Sequence, residues 1–222
     1  MLKIREIMNV MDSYLDDSSS EDSKRIEKNI NLEIGDFAEE NDHLAKYYTI
    51  QDTKYANSRG AETIKAIEEY TAGSEINGAL IEVGGDSFEL PPGLRKQYTM
   101  LMSLKGKVRL PEEHHTYSGT GTFNPMDVTV DGIFETPAFL STSLSIKVAV
   151  KTTNYRRDED EDHVLHFVLP EGFIGGYYIA PYSKDPEELE FLIFPKEKFR
   201  HIRSTAMNLD GIKRHIHTFE PK

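Results

Sequence analysis

The chain has 222 residues, no cysteine and a formal net charge of −12. This length suits one sizeable domain and excludes two full hydrophobic cores. The acid excess argues against a nucleic-acid partner, because cationic side chains drive binding to a phosphate backbone.

Hydropathy and cysteine content exclude further classes of protein. No apolar run approaches the ~20 residues that cross a bilayer, so no membrane partner is predicted. The N-terminal stretch MLKIREIMNVMDSYLDD has no apolar core of the kind that secretory signals carry. The absence of cysteine excludes a disulfide framework and a cysteine nucleophile. We therefore expect a soluble protein of a reducing cytoplasm.

The beginning of the chain is polar and helical in character. The stretch 17–29 is rich in serine and charge, which is typical of a linker or of a frayed helix start. We predict that residues 1–55 form a helical N-terminal extension and that residues 56–222 form the main domain.

Helical periodicity continues to about residue 104. The apolar residues of the stretch 37–50 lie near helical spacing, and Ile64, Ile67 and Tyr70 recur three residues apart. Two further short helices are predicted, over EINGALIEV (75–83) and GLRKQYTMLMSL (93–104).

The second half of the chain has the pattern of β structure. A strand is predicted over 136–145, followed by a short helix over IKVAVKT, and the charged run 156–162 is predicted as a solvated loop. Short apolar segments then alternate with Gly, Pro and Asp turns, which predicts strands at 163–170, 175–180, 189–195, 199–205 and 212–219. Helices followed by strands indicate an α+β fold with mostly antiparallel pairing.

The histidines do not predict a metal site. His163 and His166 are three residues apart in a predicted strand, so their side chains leave opposite faces. His215 and His217 share a face, but no third ligand is near in the sequence. The sequence also lacks a P-loop, and the glycines at Gly119–Gly121 fall short of a dinucleotide fingerprint.

Two acids stand at the entrance of an apolar strand. Residues i and i+2 of a strand face the same way, so Glu188 and Glu190 are predicted to present both carboxylates to one side. Such a pair suits cleavage of a glycosidic bond with a cationic leaving group, because a carboxylate stabilises positive charge on the sugar. The alternative is a solvated loop that runs into the strand.

Three hydroxyl residues interrupt another apolar strand. Ser141, Thr142 and Ser143 need hydrogen-bond partners if they are buried, since an unpaired buried hydroxyl costs ~1–3 kcal/mol. A carboxylate is one such partner, and a polar sheet edge is the alternative explanation.

These segments together resemble the mono-ADP-ribosyltransferases, and in particular their toxin-like and phage-borne members. The resemblance covers about residues 60–205, and the family signature is an arginine, then S-T-S, then E-x-E. It is carried, in order, by AIEEYTAGSEINGAL, HTYSGTG, FLSTSLSIKVA, LHFVLPEG with GGYYI, and EELEFLIFP.

The resemblance assigns roles to the acids and hydroxyls. Glu190 is similar to the catalytic glutamate that stabilises the positively charged ribose, and Ser141 to the serine that orients it. Glu188 is similar to the first acid of E-x-E, which in this family favours an arginine as acceptor. The remaining positions are implied to bind NAD: Tyr70, Asn77, Tyr117, Ser118, Gly119, Thr142 and Ser143.

The chain departs from the family pattern on the side that binds the NAD phosphates. Ser118 stands where the family usually has an arginine, and Glu75 and Ile81 also replace the usual residues. Losing a charge-assisted contact is expected to weaken NAD binding roughly ten- to a hundredfold. Arg95 and Arg109 are the candidate replacements.

The resemblance implies an α+β fold of two packed, mostly antiparallel sheets with NAD in the cleft between them. It implies transfer of ADP-ribose from NAD to an arginine of a protein, as expected of a phage-encoded enzyme in the cytoplasm of a bacterial host. The acceptor is then expected in the host transcription or translation machinery. The alternatives are an NAD glycohydrolase and a catalytically inactive binding or virion-structural protein.

Overall fold

The computed structural model describes residues 44, 47, 48, 58–73, 75–121, 124–154, 161–209 and 212–222. The helices are α1 (Ser58–Ala72), α2 (Glu75–Glu82), α3 (Pro92–Met102) and α4 (Ile146–Asn154). The strands are β1 (His114–Gly121), β2 (Ile133–Glu135), β3 (Leu140–Ser143), β4 (Glu161–Leu169), β5 (Gly176–Tyr178), β6 (Glu190–Ile193), β7 (Lys198–Leu209) and β8 (Ile212–Pro221). Short 3₁₀ turns lie at Pro125–Val128, Ala180–Tyr182 and Pro186–Glu188.

The helices form where the apolar periodicity places them. In α1 the residues Ile67 and Tyr70 are buried, as the three-residue spacing predicts. Helix α2 buries Ile76 and Leu80, one turn apart. Helix α3 begins at Pro92, where a missing backbone N–H costs nothing because the first turn has no partner for it.

The strands form one eight-stranded sheet in the order β2-β7-β8-β4-β1-β3-β6-β5. All neighbouring strands pair antiparallel except β4 and β8, which are parallel. The predicted α+β fold with mostly antiparallel pairing is therefore confirmed.

The sheet has a weak junction in its middle. Strands β1 and β3 share a single residue pair, Tyr117 with Ser143, whereas β1 and β4 pair over most of their length. The two sheets that the resemblance implied are thus two blocks of one sheet, β2-β7-β8-β4-β1 and β3-β6-β5, which meet at this junction.

A core rich in aromatic residues joins the sheet to the helices. The rings of Phe167 and Phe199 lie 4.6 Å apart, edge to face. Tyr48 is fully buried, and its ring lies 5.0 Å from that of Tyr177 on β5. Leu44 and Tyr48, which fall within the predicted N-terminal extension, therefore pack into the same core as the main domain.

The structure differs from the prediction in two segments, and a third predicted segment lies outside the described residues. The strand predicted over 136–145 is shorter, since β3 spans only Leu140–Ser143. The loop predicted over 156–162 is wrong at its end, because Asp162 lies in β4 and is buried against Arg214 on β8, with Nε and Oδ2 3.5 Å apart. The predicted linker 17–29 lies outside the described residues. Within the described ranges, no helix is long and apolar enough to span a membrane.

Candidate functional site

Pairing of β3 with β6 brings the predicted hydroxyl and acid together. The register places Ser143 opposite Glu190 and Ser141 opposite Leu192. From this position the Ser141 hydroxyl donates a hydrogen bond to Oε1 of Glu190, with an O···O distance of 2.6 Å. The contact that the sequence predicted between these two side chains is therefore present.

Glu190 is a buried acid. Its side chain is 4% exposed although it begins an edge-proximal strand. Burial raises the pKa of its carboxyl to about 7, and the nearby Glu188 charge adds to this rise, whereas the Ser141 hydrogen bond lowers the pKa. Near neutral pH the carboxyl is therefore divided between its neutral and ionised forms.

The prediction that Glu188 and Glu190 lie on one strand face is wrong. Strand β6 starts only at Glu190, and Glu188 ends the 3₁₀ turn Pro186–Glu188. Between them Leu189 is left-handed, with φ 52°, so the chain turns sharply where an extended strand was expected. Glu188 is consequently exposed while Glu190 is buried, yet both line the same cavity.

Thr142 and Ser143 hold the backbone of the site in place. The Thr142 hydroxyl donates to the carbonyl oxygen of Phe191 at 2.6 Å. The Ser143 hydroxyl donates to the carbonyl oxygen of Glu188 at 2.7 Å and accepts from the amide of Ser145. The polar-edge alternative therefore does not apply to them, because each hydroxyl fastens β3 to β6 or to the Glu188 turn.

Tyr70 and Asn77 form the helical wall of the cavity. The Asn77 amide nitrogen donates to the Tyr70 hydroxyl at 3.3 Å. Burial raises the pKa of Tyr70, and the charge of Glu190, which lines the same cavity, raises it further. The Oδ1 atom of Asn77 is buried without a hydrogen-bond partner and is thus open to a donor from a ligand.

The end of β1 contributes two of the three residues predicted there. Ser118 and Gly119 line the cavity, but Tyr117 is not among the described lining residues. Side chains alternate along a strand, so the Tyr117 ring stacks instead on His166, with centroids 4.9 Å apart and planes 9° apart. The prediction that Tyr117 binds the cofactor is not supported by this placement.

The cavity has a volume of about 680 Å³, within the range of small-molecule sites. It lies between the ends of α1 and α2, the junction of β1 with β3, and the Glu188 turn. Its described lining consists of Tyr70, Thr71, Ala72, Gly73, Asn77, Ile81, Ser118, Gly119, Thr120, Phe139, Leu140, Ser141, Thr142, Ser143, Val148, Ala149, Glu188 and Glu190.

Cationic side chains are missing from this described lining. Arg95, one predicted replacement for the family arginine, donates to the carbonyl oxygens of Phe88 and Leu90. Neither Arg95 nor Arg109 lines the cavity. Serine, threonine and asparagine groups therefore supply the polar contacts of this wall, together with the two acids.

The sequence did not single out Thr71, Thr120 and the α4 residues as part of the site. Thr120 donates to the carbonyl oxygen of His163 at 3.0 Å. Thr71 directly follows Tyr70 in the motif Y-T, which was the available signal. Val148 and Ala149 reach the cavity because α4 packs across β1, and no local pattern shows that contact.

The structure supplies a third histidine beside His215 and His217. His163 on β4 stacks on His215 at 5.1 Å and lies within hydrogen-bond distance of His217, Nδ1 to Nε2 at 2.9 Å. His166 leaves the opposite face, as predicted, and contacts His115. No three acid or histidine groups in the described part of the chain are arranged to hold a metal ion.

Comparison with known proteins identifies a family. The family model for the ADP-ribosyltransferase exoenzymes matches residues 45–219. No curated protein sequence matches the chain significantly.

Several solved structures share the fold. Plx2a, an ADP-ribosyltransferase toxin from Paenibacillus larvae, is 20% identical with a TM-score of 0.64, over 82% of this chain and 94% of that one. C3stau2 from S. aureus, solved with NAD, is 18% identical with a TM-score of 0.61, over 81% and 94%. ADP-ribosyltransferase Vis, in complex with agmatine, comes from Vibrio splendidus and is 17% identical with a TM-score of 0.57, over 93% and 87%.

Proposed function

Because the chain belongs to the ADP-ribosyltransferase exoenzyme family, we propose that it transfers ADP-ribose from NAD to an arginine side chain of a protein. NAD is the substrate of the enzyme. The observation that carries the proposal is the buried Ser141–Glu190 pair, at 2.6 Å, on the wall of a cavity of about 680 Å³.

Glu190 is placed to stabilise the sugar. NAD supplies a glycosidic bond whose leaving group, nicotinamide, departs with the electron pair, so that positive charge develops on the ribose. An ionised Glu190 stabilises that charge strongly, since solvent screens a buried carboxylate less than an exposed one. The Ser141 hydroxyl orients the carboxylate and keeps its pKa from rising further.

Glu188 is placed to receive the acceptor. It is exposed at the cavity mouth, where a guanidinium from another protein reaches it without being buried. A carboxylate pairs with guanidinium through two parallel hydrogen bonds, which favours arginine over lysine. A guanidinium nitrogen then forms the new bond to the ribose carbon, and Glu188 receives the proton that this nitrogen loses. Vis, which shares the fold, is solved with agmatine, itself a guanidinium compound.

The proposal also covers the protein that accepts ADP-ribose and the source of the enzyme. We propose that the acceptor is a protein of a bacterial host, in its transcription or translation machinery, and that the enzyme is phage-encoded and acts in the host cytoplasm. The motivation is the resemblance of the Ser141–Ser143 and Glu188–Glu190 motifs to phage-borne members of the family.

Two substitutions separate the roles of the acids. Glu190→Gln keeps the shape but removes the charge, so nicotinamide release should fall by roughly a hundredfold or more. Glu188→Gln should leave nicotinamide release without an acceptor within about twofold, while transfer to poly-L-arginine falls at least tenfold. The measurements are nicotinamide release and incorporation of labelled ADP-ribose.

Glu187→Gln is the matched control. Glu187 lies in the same turn and is exposed, but it does not line the cavity, so both rates should stay near those of the parent protein. Equal loss of release and transfer in Glu188→Gln would contradict the assigned role of Glu188. A Glu190→Gln protein that is as active as its parent would contradict the proposed function.

A catalytically inactive binding or virion-structural protein on the same fold is the second candidate, and the described lining without a cation favours it, because the NAD phosphates then lack a cationic partner there. Calorimetry with NAD distinguishes the two candidates when it is combined with the release assay. Undetectable NAD binding without nicotinamide release supports the inactive protein, whereas release of free ADP-ribose without transfer supports an NAD glycohydrolase.

A further inference from the structure

The loop that carries Glu188 makes described hydrogen bonds to the rest of the molecule both at its base and at its tip. This acceptor loop, residues 180–189, connects β5 to β6. At its base, the Ser143 hydroxyl donates to the carbonyl oxygen of Glu188 at 2.7 Å, and the amide of Leu144 donates to the carbonyl oxygen of Leu189 at 3.2 Å. The base is therefore anchored to β3.

The tip of the acceptor loop is anchored to helix α1. The backbone amide of Lys184 donates to the Thr71 hydroxyl oxygen at 3.1 Å. The same hydroxyl donates its proton to the carbonyl oxygen of Glu68, one turn earlier, at 3.3 Å. With the proton directed at Glu68, a lone pair of the Thr71 oxygen faces the loop, so one hydroxyl joins helix and loop.

A nearby ion pair adds little to this anchor. The Lys184 ammonium lies 4.0 Å from Glu68, and the two side chains are 55% and 46% exposed. Solvent screens a pair with this exposure, and such pairs contribute little on average. The hydroxyl is therefore the better-defined contact between the loop tip and α1.

Thr71 lies between the helical wall of the cavity and the acceptor loop. It follows Tyr70, which lines the same cavity as Glu190, and it lines this cavity itself. The loop bond to Thr71 thus fixes the distance between the wall that holds NAD and the turn that carries Glu188. A loop freed at its tip would still hold the Ser141–Glu190 pair, because that pair depends on β3 and β6.

We propose that Thr71 is a positioning residue for the acceptor, acting through the bond from its hydroxyl to the acceptor loop. This inference rests on the proposed transferase function. Loss of the bond lowers transfer to a protein acceptor more than it lowers nicotinamide release in the absence of acceptor.

The test uses Thr71→Val, which keeps the β-branched shape and removes the hydroxyl. The Lys184 amide that loses its partner is on an exposed loop, so water replaces the bond and the variant is expected to fold. Transfer to poly-L-arginine should fall roughly three- to tenfold, the range that one solvent-accessible hydrogen bond supports. The ratio of transfer to nicotinamide release without acceptor should fall by the same factor, and Thr71→Ser should restore that ratio.

Thr99→Val is the matched control, because Thr99 also lies on a helix and its hydroxyl donates to a carbonyl oxygen one turn earlier, that of Arg95. Thr99 lies away from the cavity, and this control should leave both rates unchanged. An equal fall of transfer and release in Thr71→Val overturns the proposal, since it would place Thr71 on the NAD side alone. Unchanged transfer also overturns it.

Hydrogen exchange reports on the anchor without any assay of activity. Amides of residues 180–188 should exchange faster in Thr71→Val and at the parent rate in Thr71→Ser. Unchanged exchange overturns the proposed anchor. If the parent protein transfers nothing to poly-L-arginine, the proposed function fails, and faster exchange in Thr71→Val still supports the anchor.

Discussion

A carboxylate stabilises a developing positive charge only when it is ionised, and Glu190 is partly neutral at pH 7 because burial raises its pKa to about 7. The kcat/KM for nicotinamide release should therefore increase with pH between about 6 and 8 and level off above that range. The measurement is a pH profile of nicotinamide release at subsaturating NAD.

Ser141→Ala tests the predicted pH profile in a second way. The Ser141 hydrogen bond lowers the pKa of Glu190, so its removal should move the profile to higher pH as well as slow the reaction. A profile that is flat across this range, or one that moves to lower pH in the variant, would show that Glu190 is not the titrating group.

Ser118 is the residue at which a cation would change substrate binding most directly. It lines the cavity, whose described lining holds no lysine or arginine. In Ser118→Arg a guanidinium becomes available to the NAD diphosphate, and NAD affinity should increase roughly ten- to a hundredfold. Calorimetric titration with NAD measures the change. Unaltered affinity would show that other groups hold the phosphates.

At the scale of elements, the short pairing of β3 with β6 carries the site, and Thr142 strengthens that pairing. Thr142 is 2% exposed, and its hydroxyl donates to the Phe191 carbonyl oxygen. In Thr142→Val the shape is kept but the bond is lost, so the free energy of unfolding should fall by about 1–2 kcal/mol. Urea unfolding measures this loss.

The exposed Thr99 again provides a control for the unfolding measurement. Thr99→Val removes a hydroxyl bond that water can replace, so it should change the free energy of unfolding by less than about 0.5 kcal/mol. Equal effects at the two positions would mean that the burial of Thr142 adds nothing to the stability of the site.

The sequence predicted these elements unevenly, for physical reasons. Helices α1 and α2 follow from local apolar spacing, which needs no knowledge of the fold. The turn before Glu190 did not follow, because E-x-E before an apolar run fits both a strand and a loop. Leucine rarely adopts a left-handed conformation, so nothing in the sequence marked Leu189 as the point of reversal.

Across the whole molecule, buried histidines link stability to pH. His166 is 1% exposed, and burial lowers its pKa to about 3, with His115 and Arg203 adding to the effect. Burial also lowers the pKa of His217 to about 4, and the nearby His163, His201 and His215 add to the effect. The unfolded chain therefore binds protons before the folded protein does, and stability should fall as pH drops below about 6.5.

His166→Gln isolates one of these contributions. Between pH 6.5 and 5, the parent protein should lose about 2 kcal/mol more of its free energy of unfolding than the variant does. Urea unfolding at several pH values supplies both curves. The comparison concerns the pH dependence, since loss of the contacts with His115 and Thr218 also lowers the stability of the variant at neutral pH. If the free energy of unfolding has the same pH dependence in parent and variant, His166 has the same pKa in the folded and unfolded states.

Long-range arrangement was the least accessible from the sequence. The resemblance implied two sheets, and the strands form two blocks that share the pair Tyr117–Ser143. The same local patterns fit either arrangement, since pairing partners lie far apart along the chain. The stacking of the Tyr117 ring on His166 likewise depends on the pairing of β1 with β4, which lie far apart in the sequence, and the NAD-binding role of Tyr117 stays a prediction.

The burial of Glu190 brings the stability of the folded protein into conflict with its proposed activity. Below about pH 4.5 its carboxyl is neutral in the folded and unfolded chain alike, and burying it carries no charge penalty. As pH rises through 7 the folded protein must hold a charge out of water, which lowers stability by up to about 3 kcal/mol. A copy disabled by Glu190→Gln escapes this penalty and should melt at a higher temperature at pH 8. The ionised acid that the proposed reaction needs would thus make the folded protein less stable at the pH at which that reaction is fastest.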